Sequence, residues 1–204
     1  MESSRLAISF ITPSLLIGIL ISVNVAFDDS YAAPYTNYTS EKYKIHFDYP
    51  ADWEVVEKKS GLNEGADIEL SSHTILGGTV LIFLTNNSAS HHMDLRSYLN
   101  QAFNTAISAN YNREYNVVEQ PSITTIGNLQ AGTFHFTSED KYDSSGVRLE
   151  IQDWVVKTPN NDYLISYVST PDVFGKPSSE EFRDHFIKSI RFLVMLLKII
   201  STVM

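Results

Sequence analysis

AGTFHFTSEDKYDSSGVRLEIQDWVVKTPNNDYLISYVST, residues 131–170, alternates its side chains with period two in three successive segments. In the first, Phe134 and Phe136 fall on one face and Thr133, His135 and Thr137 on the other. In the second, Leu149, Ile151 and Val155 alternate with Glu150, Gln152 and Trp154. In the third, Tyr163, Ile165 and Tyr167 alternate with Leu164, Ser166 and Val168. Such a period belongs to a strand, whose successive side chains point to opposite sides of a sheet. The links 139–146 and 159–162 are short and rich in Asp, Asn, Ser and Gly, so the three strands read as a meander of hairpins and hence as an antiparallel sheet.

Working outward, Asn116 to Gln120 and Ser122 to Ile126 read as two strands flanking Pro121, because proline lacks the ladder N–H. TVLIFLT (79–85) is a continuous apolar run of strand length, expected at the centre of the sheet and covered on both faces. Ile68 with Leu70, Trp53 to Glu57, and Ile45, Phe47 and Tyr49 supply further strands, the last stopped by Pro50. Two segments change to helical period. Leu95, Leu99, Ala102, Phe103, Ala106 and Ile107, within residues 94–109, follow Asp94, placed as N-cap. Phe182, Phe186 and Ile190 form a stripe in a terminal helix, with Ser178 and Glu181 spaced as a capping box and Lys188 and Arg191 in the last turn. The expected fold class is α+β, an antiparallel sheet covered by helices, an α/β/α sandwich.

The chain has 204 residues, 43% apolar and 19% charged, which suits one globular domain with extensions. There is no cysteine, which excludes disulfides, thiolate metal sites and thiol chemistry. The formal charge of −9 opposes nucleic acid as a partner, since phosphates demand basic surface. Residues 1–32 begin with one base, Arg5, and run through an apolar stretch densest at Leu15 to Ile21. They end on small residues at Ser30-Tyr31-Ala32, the pattern of a secretory signal peptide. An uncleaved N-terminal anchor touching the membrane is the alternative, since a span needs about 20 apolar residues. Removing residues 1–32 takes away Arg5, Glu2, Asp28 and Asp29 and leaves 14 bases against 21 acids, a net −7. Residues 33–42 read as a linker, 43–192 as the domain, and 193–204 (LVMLLKIISTVM from Leu193) as an apolar tail too short to cross a bilayer.

Motifs for nucleophilic, nucleotide-binding or zinc-protease chemistry are absent: no G-x-S-x-G, P-loop, H-E-x-x-H or G-x-G-x-x-G occurs. His91-His92-Met93-Asp94 is the one clustered set of metal-type donors. His91, His92 and Asp94 are candidate ligands for copper or zinc, weighed against a solvated loop leading into the N-cap. Glu139, Asp140 and Asp143 offer carboxylates for calcium, but an EF-hand frame centred on Gly146 places Lys141 and Gln152 at ligand positions. His46 and His135 each lie on a polar strand face and converge only if their strands are neighbours; His73 and His185 stand alone as surface residues. Asn37-Tyr38-Thr39 and Asn86-Asn87-Ser88 are sequons, which make Asn37 and Asn86 candidate glycosylation sites on surface loops of an exported protein. Tyr31, Tyr35, Tyr38, Tyr43 and Tyr49 crowd the amino-terminal part; such rings suit protein or glycan interfaces, or, for the last two, ordinary strand packing.

The run Tyr43-Lys44-Ile45-His46-Phe47-Asp48-Tyr49-Pro50, followed by Asp52-Trp53, resembles the opening strand of PsbP-type domains. Further pieces follow in that family's order. They are Ser97-Tyr98-Leu99, the step from Thr124 through Gly127 to Ala131, the strand Tyr163 to Tyr167, and the helix end Ile187-Lys188-Ser189-Ile190-Arg191-Phe192. The likeness covers about residues 40–192 and is nearer to the secreted archaeal type than to the plant thylakoid subunit. It implies a central antiparallel sheet sandwiched by helices. It also implies a non-catalytic role, the family being known for extrinsic subunits and assembly factors of photosystem II with calcium and manganese often invoked. The leader is not Arg-rich, so a photosystem role is not carried over. The expectation is an exported, extracellular or cell-envelope module without cofactor that binds another envelope or membrane protein. The alternative is a weak metal-binding envelope protein using calcium, manganese, copper or zinc.

Overall fold

The computed structural model describes residues 34–58, 65–72, 78–86, 93–108, 112–140, 147–159 and 161–193. In chain order these form β1 (Tyr35–Ser40), β2 (Ile45–Pro50), β3 (Trp53–Glu57), β4 (Ile68–Ser72), β5 (Thr79–Asn86) and α1 (Leu95–Ala106). There follow β6 (Arg113–Ile126), β7 (Leu129–Asp140), β8 (Arg148–Lys157), β9 (Asn161–Ser169), α2 (Pro171–Phe174), α3 (Pro177–Ser189) and β10 (Arg191–Phe192). A seven-stranded sheet has the order β3-β4-β5-β9-β8-β7-β6, and a three-stranded sheet has the order β1-β2-β10. All pairs are antiparallel, and the meander β7-β8-β9 forms as its alternation requires.

Both faces of the large sheet are covered, which makes the fold an α+β sandwich. On one face Ala131, Trp154, Val156, Tyr163, Ile165 and Tyr167 pack against Phe174 of α2, Phe182 and Phe186 of α3, and Ile45 and Phe47 of β2. On the other, Phe134, Phe136 and Val155 pack against Tyr98, Leu99 and Ala102 of α1. The helix lies close because residue 132 is glycine: a Cβ there would meet Leu99 Cδ1 at 2.5 Å and Cδ2 at 2.7 Å. β5 sits inside the sheet with Val80, Leu81 and Ile82 buried, as its unbroken apolar run anticipates.

Four local expectations change. Residues 33–42, read as a linker, instead supply β1, which pairs with β2 over its full length. Its inward contacts are few: Tyr38 stacks on Phe47 at 5.0 Å and donates to the Glu57 carboxylate, and Ser40 is buried. Second, the two strands flanking Pro121 are one 14-residue strand, β6. Register shifts between Val117 and Glu119 and between Glu119 and Ser122 mark bulges, where a proline costs no ladder bond. Third, Ser178 and Glu181 do not form a capping box, because α3 starts two residues earlier than that box requires, with Lys176 as N-cap and Pro177 in its first turn, where the missing N–H is harmless. Fourth, Arg191 lies in β10 rather than in the helix. Ile190 is already extended and fully buried, and Arg191 Nη1 reaches back to donate to the carbonyls of Lys188 (2.7 Å) and Ile190 (2.8 Å).

Candidate functional site

His135 is fixed by a stack that joins three elements. Its ring lies parallel to Phe174 at 4.6 Å, and the guanidinium of Arg183 covers Phe174 at 3.8 Å while its Nη1 donates to the Phe174 carbonyl at 2.9 Å. His135 Nε2 lies 2.9 Å from Glu150 Oε1, an electrostatic contact rather than an aligned hydrogen bond. The residue is 6% exposed, and burial pulls the imidazole below its ordinary range. Glu150 on β8 and Glu119 on β6 oppose that shift, and Arg183 on α3 adds to it. A histidine held neutral in the fold but free to charge when unfolded supports stability above its unfolded pKa of about 6.5. That support is lost as pH falls from there through the lowered folded value. His135→Gln is expected to cost about 1 kcal/mol at pH 7.5 through the lost stack. The gap to the wild type, read from urea midpoints, should narrow between pH 6.5 and pH 5; a gap that widens with acid would mean a charged, salt-bridged His135.

Asp153 occupies the opposite face of the same sheet. It stands on β8 across from Phe134 on β7 and Ser166 on β9, and it is 3% exposed. Desolvation pushes its carboxyl up to about 7, against the hydrogen bond from Ser166, and Oδ1 has no hydrogen-bond partner. Nearby on that face, the fully buried Asp162 lies 3.8 Å from Lys157 Nζ. Lys157 also donates to the Met93 carbonyl at 2.9 Å, at the start of α1, and sits 5.1 Å over the Tyr98 ring. Burial and Asp162 together push the Tyr98 phenol up to about 12.

The small sheet carries a third constellation. Asp48 on β2 lies between two imidazoles, with Oδ2 3.4 Å from His185 Nε2 and Oδ1 3.9 Å from His46 Nε2. Tyr35 stacks on His185 at 3.8 Å, and Thr39 Oγ1 is 2.7 Å from His46 Nδ1. His185 therefore does not stand alone, as its sequence context had implied. His46 and His135 do not converge, because they lie on different sheets.

Asp94 is the N-cap of α1: Oδ1 accepts from Ser97 N and Oδ2 from Ser97 Oγ, both at 2.9 Å, and these bonds lower its carboxyl. His91 and His92 lie outside the described residues, as do His73 and Asp143. Glu139 and Asp140 end β7 opposite Arg148 and Arg113, respectively. Among the described residues no group of three His, Asp or Glu side chains is placed to hold a metal ion. Asn37 is exposed on strand β1 and Asn86 is the last residue of β5, so neither sequon asparagine lies on the loop expected for it. Asp153 and His135 were both missed as buried groups. The signal for Asp153 was present, since it keeps phase with the apolar Ile151 and Val155.

The large sheet has two edge strands, the five-residue β3 and the 14-residue β6. Val118 at the first bulge is 50% exposed and Ile123 is 39% exposed, with Glu114 and Glu119 also exposed along the strand. The only base on β6, Arg113, is buried and donates to Ser138 Oγ and to the Ser138 carbonyl. The rim is therefore aliphatic and acidic, and its bulges and proline blunt it against strand addition.

No protein-family model and no curated protein matches the chain. Solved structures do. The solution structure of cyanobacterial PsbP (CyanoP) from Synechocystis sp. PCC 6803 has a TM-score of 0.59 at 11% identity, over 86% of this chain and 98% of that one. The crystal structure of LpqN, involved in cell envelope biogenesis of Mycobacterium tuberculosis, has a TM-score of 0.51 at 12% identity, over 78% of this chain and 86% of that one. The likeness is one of fold. Among the described residues no helix is long and apolar enough to cross a membrane.

Proposed function

We propose that the protein is an exported, non-catalytic module with a PsbP-like fold that docks on a membrane-associated protein of the cell envelope through the β6 rim. The occupant is a protein face that sets aliphatic side chains beside lysine or arginine. The observation that carries this reading is the rim itself: two exposed aliphatic residues beside exposed glutamates, with no exposed base on the strand. Apolar contact gives affinity there, and charge complementarity selects the partner. Two of the groups suited to acid–base chemistry lie inside the fold: His135 is stacked on Phe174, and Asp153 is on a covered face of the sheet. Export is supported by the leader pattern of residues 1–32 and agrees with the envelope role stated for LpqN.

The test is native sizing of the protein from its own membrane fraction, wild type beside Val118→Lys/Ile123→Lys. Both residues are exposed, Val118 by 50% and Ile123 by 39%, so the double variant should change stability by no more than about 1 kcal/mol per site. The wild type is expected to run in a complex larger than itself and the variant as free protein. The same profile for both would rule out docking through the rim.

A further inference from the structure

We propose that Asn37 carries an N-linked glycan and that this glycan guards the open edge of the small sheet; the inference rests on the export reading. β1 pairs with β2 along all six of its residues and with no other described strand. An open strand edge is a template for pairing with another chain, and proteins blunt such edges with charge, proline, bulges or shortness. The other edges here follow that rule. β6 has bulges and Pro121, β3 is five residues long and carries Glu54 and Glu57, and β10 has two residues. β1 has none of these devices. Its sequence, Tyr-Thr-Asn-Tyr-Thr-Ser, holds no charge, no proline and no glycine, and is rich in residues that favour strands.

The sequon Asn37-Tyr38-Thr39 falls at the middle of this unguarded edge. Asn37 is exposed, as are Tyr35 and Thr39 in the same phase of the strand, whereas Tyr38 and Ser40 turn inward. A branched, hydrated sugar at that point would prevent a second strand from lying alongside β1. The modification needs an oligosaccharide carried on a lipid pyrophosphate as donor. The Asn37 side-chain nitrogen bonds to the anomeric carbon, the bond from that carbon to the pyrophosphate oxygen breaks, the amide gives up one proton, and no redox change occurs. In the folded protein the Thr39 hydroxyl is engaged by His46 at 2.7 Å. Transfer to the sequon therefore precedes the pairing of β1 with β2, during export. Asn86 lacks this logic: it is the last residue of β5, paired with Asn161 of β9, and not the middle of an edge strand.

The test compares the full chain purified from its native host as wild type, Asn37→Gln, Thr39→Val and Asn37→Lys, by intact and peptide mass and by sizing across concentration. The wild type is expected to lack residues 1–32 and to carry a carbohydrate increment on the peptide holding Asn37, absent from all three variants. Asn37→Gln and Thr39→Val should shift from monomer toward dimer as concentration rises. Asn37→Lys, which restores a guard as charge, should stay monomeric. A leader-free, exported wild type with unmodified Asn37 overturns the glycan while leaving export in place. Modification of Asn37 with Asn37→Gln and Thr39→Val monomeric throughout overturns the guarding role. A wild type that stays in the cytosol with residues 1–32 attached overturns both the inference and the export reading, and the mass of the leader identifies that case.

Discussion

Asp153→Asn is expected to raise the unfolding free energy by up to about 4 kcal/mol at pH 8, an effect that shrinks below about 1 kcal/mol at pH 4. The carboxyl titrates at 3.8 when solvated and at about 7 in the fold, because burial penalises the charged form and Ser166 alone hydrogen-bonds it. A group whose folded pKa is raised contributes stability that is complete below the unfolded value and lost as pH rises through the folded one. The window is therefore about pH 4 to 7, and above it the wild type bears the full cost of an ionised, desolvated carboxylate. Asparagine keeps the shape and cannot ionise. Urea unfolding of both proteins at pH 4, 6 and 8 reads the effect. An Asp153→Asn variant less stable than wild type at pH 8 would mean that the carboxylate is charged and well partnered, against its orphaned Oδ1. Over part of the same range His135 acts with the opposite sign, since acid removes its support. The variant should accordingly show a steeper loss on the acid side than the wild type.

Phe186→Ala is expected to cost about 3–5 kcal/mol, a large part of the stability of a domain this size. Phe186 is 1% exposed and joins two layers: its ring lies 5.3 Å from Phe47 on β2 and 5.7 Å from Phe182 on α3. Removing it leaves a cavity between α3 and the small sheet that neither element can close, because α3 is tied to β2 by the bond from Asp48 N to Ser189 Oγ at 2.9 Å and to β10 through Ile190. Denaturant unfolding at pH 7 measures it. A loss below about 1 kcal/mol, well under the range for a buried phenylalanine, would show that the small sheet and α3 do not depend on each other.

The architecture was legible where alternation was strong and the links short, as in β7-β8-β9, and where the helical stripe Phe182-Phe186-Ile190 gave a single face. It was not legible where burial rests on few side chains. β1 buries only Ser40 and half-buries Tyr38 in a strand of hydroxyl and amide residues, so period two carries no apolar signal there. The join across Pro121 depends on bulges, which are a property of the pairing with β7 and not of the strand alone. The buried polar groups were hidden for a related reason. Alternation tells which face of a strand is apolar, but not that the polar face is covered too. Thr133, His135 and Thr137 form the polar phase of β7, yet α2 and α3 cover that side and bury His135. Asp153 was missed too, although as an acid in phase with Ile151 and Val155 it carried a signal in the sequence.

The fold buries His135 and Asp153, leaves Asp48, His46 and His185 partly exposed beside the small sheet, and presents an aliphatic, acidic rim along β6. The most direct measurement of the docking role is photo-crosslinking in intact cells, with a photoreactive residue placed at position 118 or 123 and, as a control, at the exposed Glu180 of α3. If the rim docks, one and the same membrane-associated protein is joined from 118 and from 123 and is absent from 180. Adducts from 180 equal to those from 118 and 123, or none from either rim position, would contradict it.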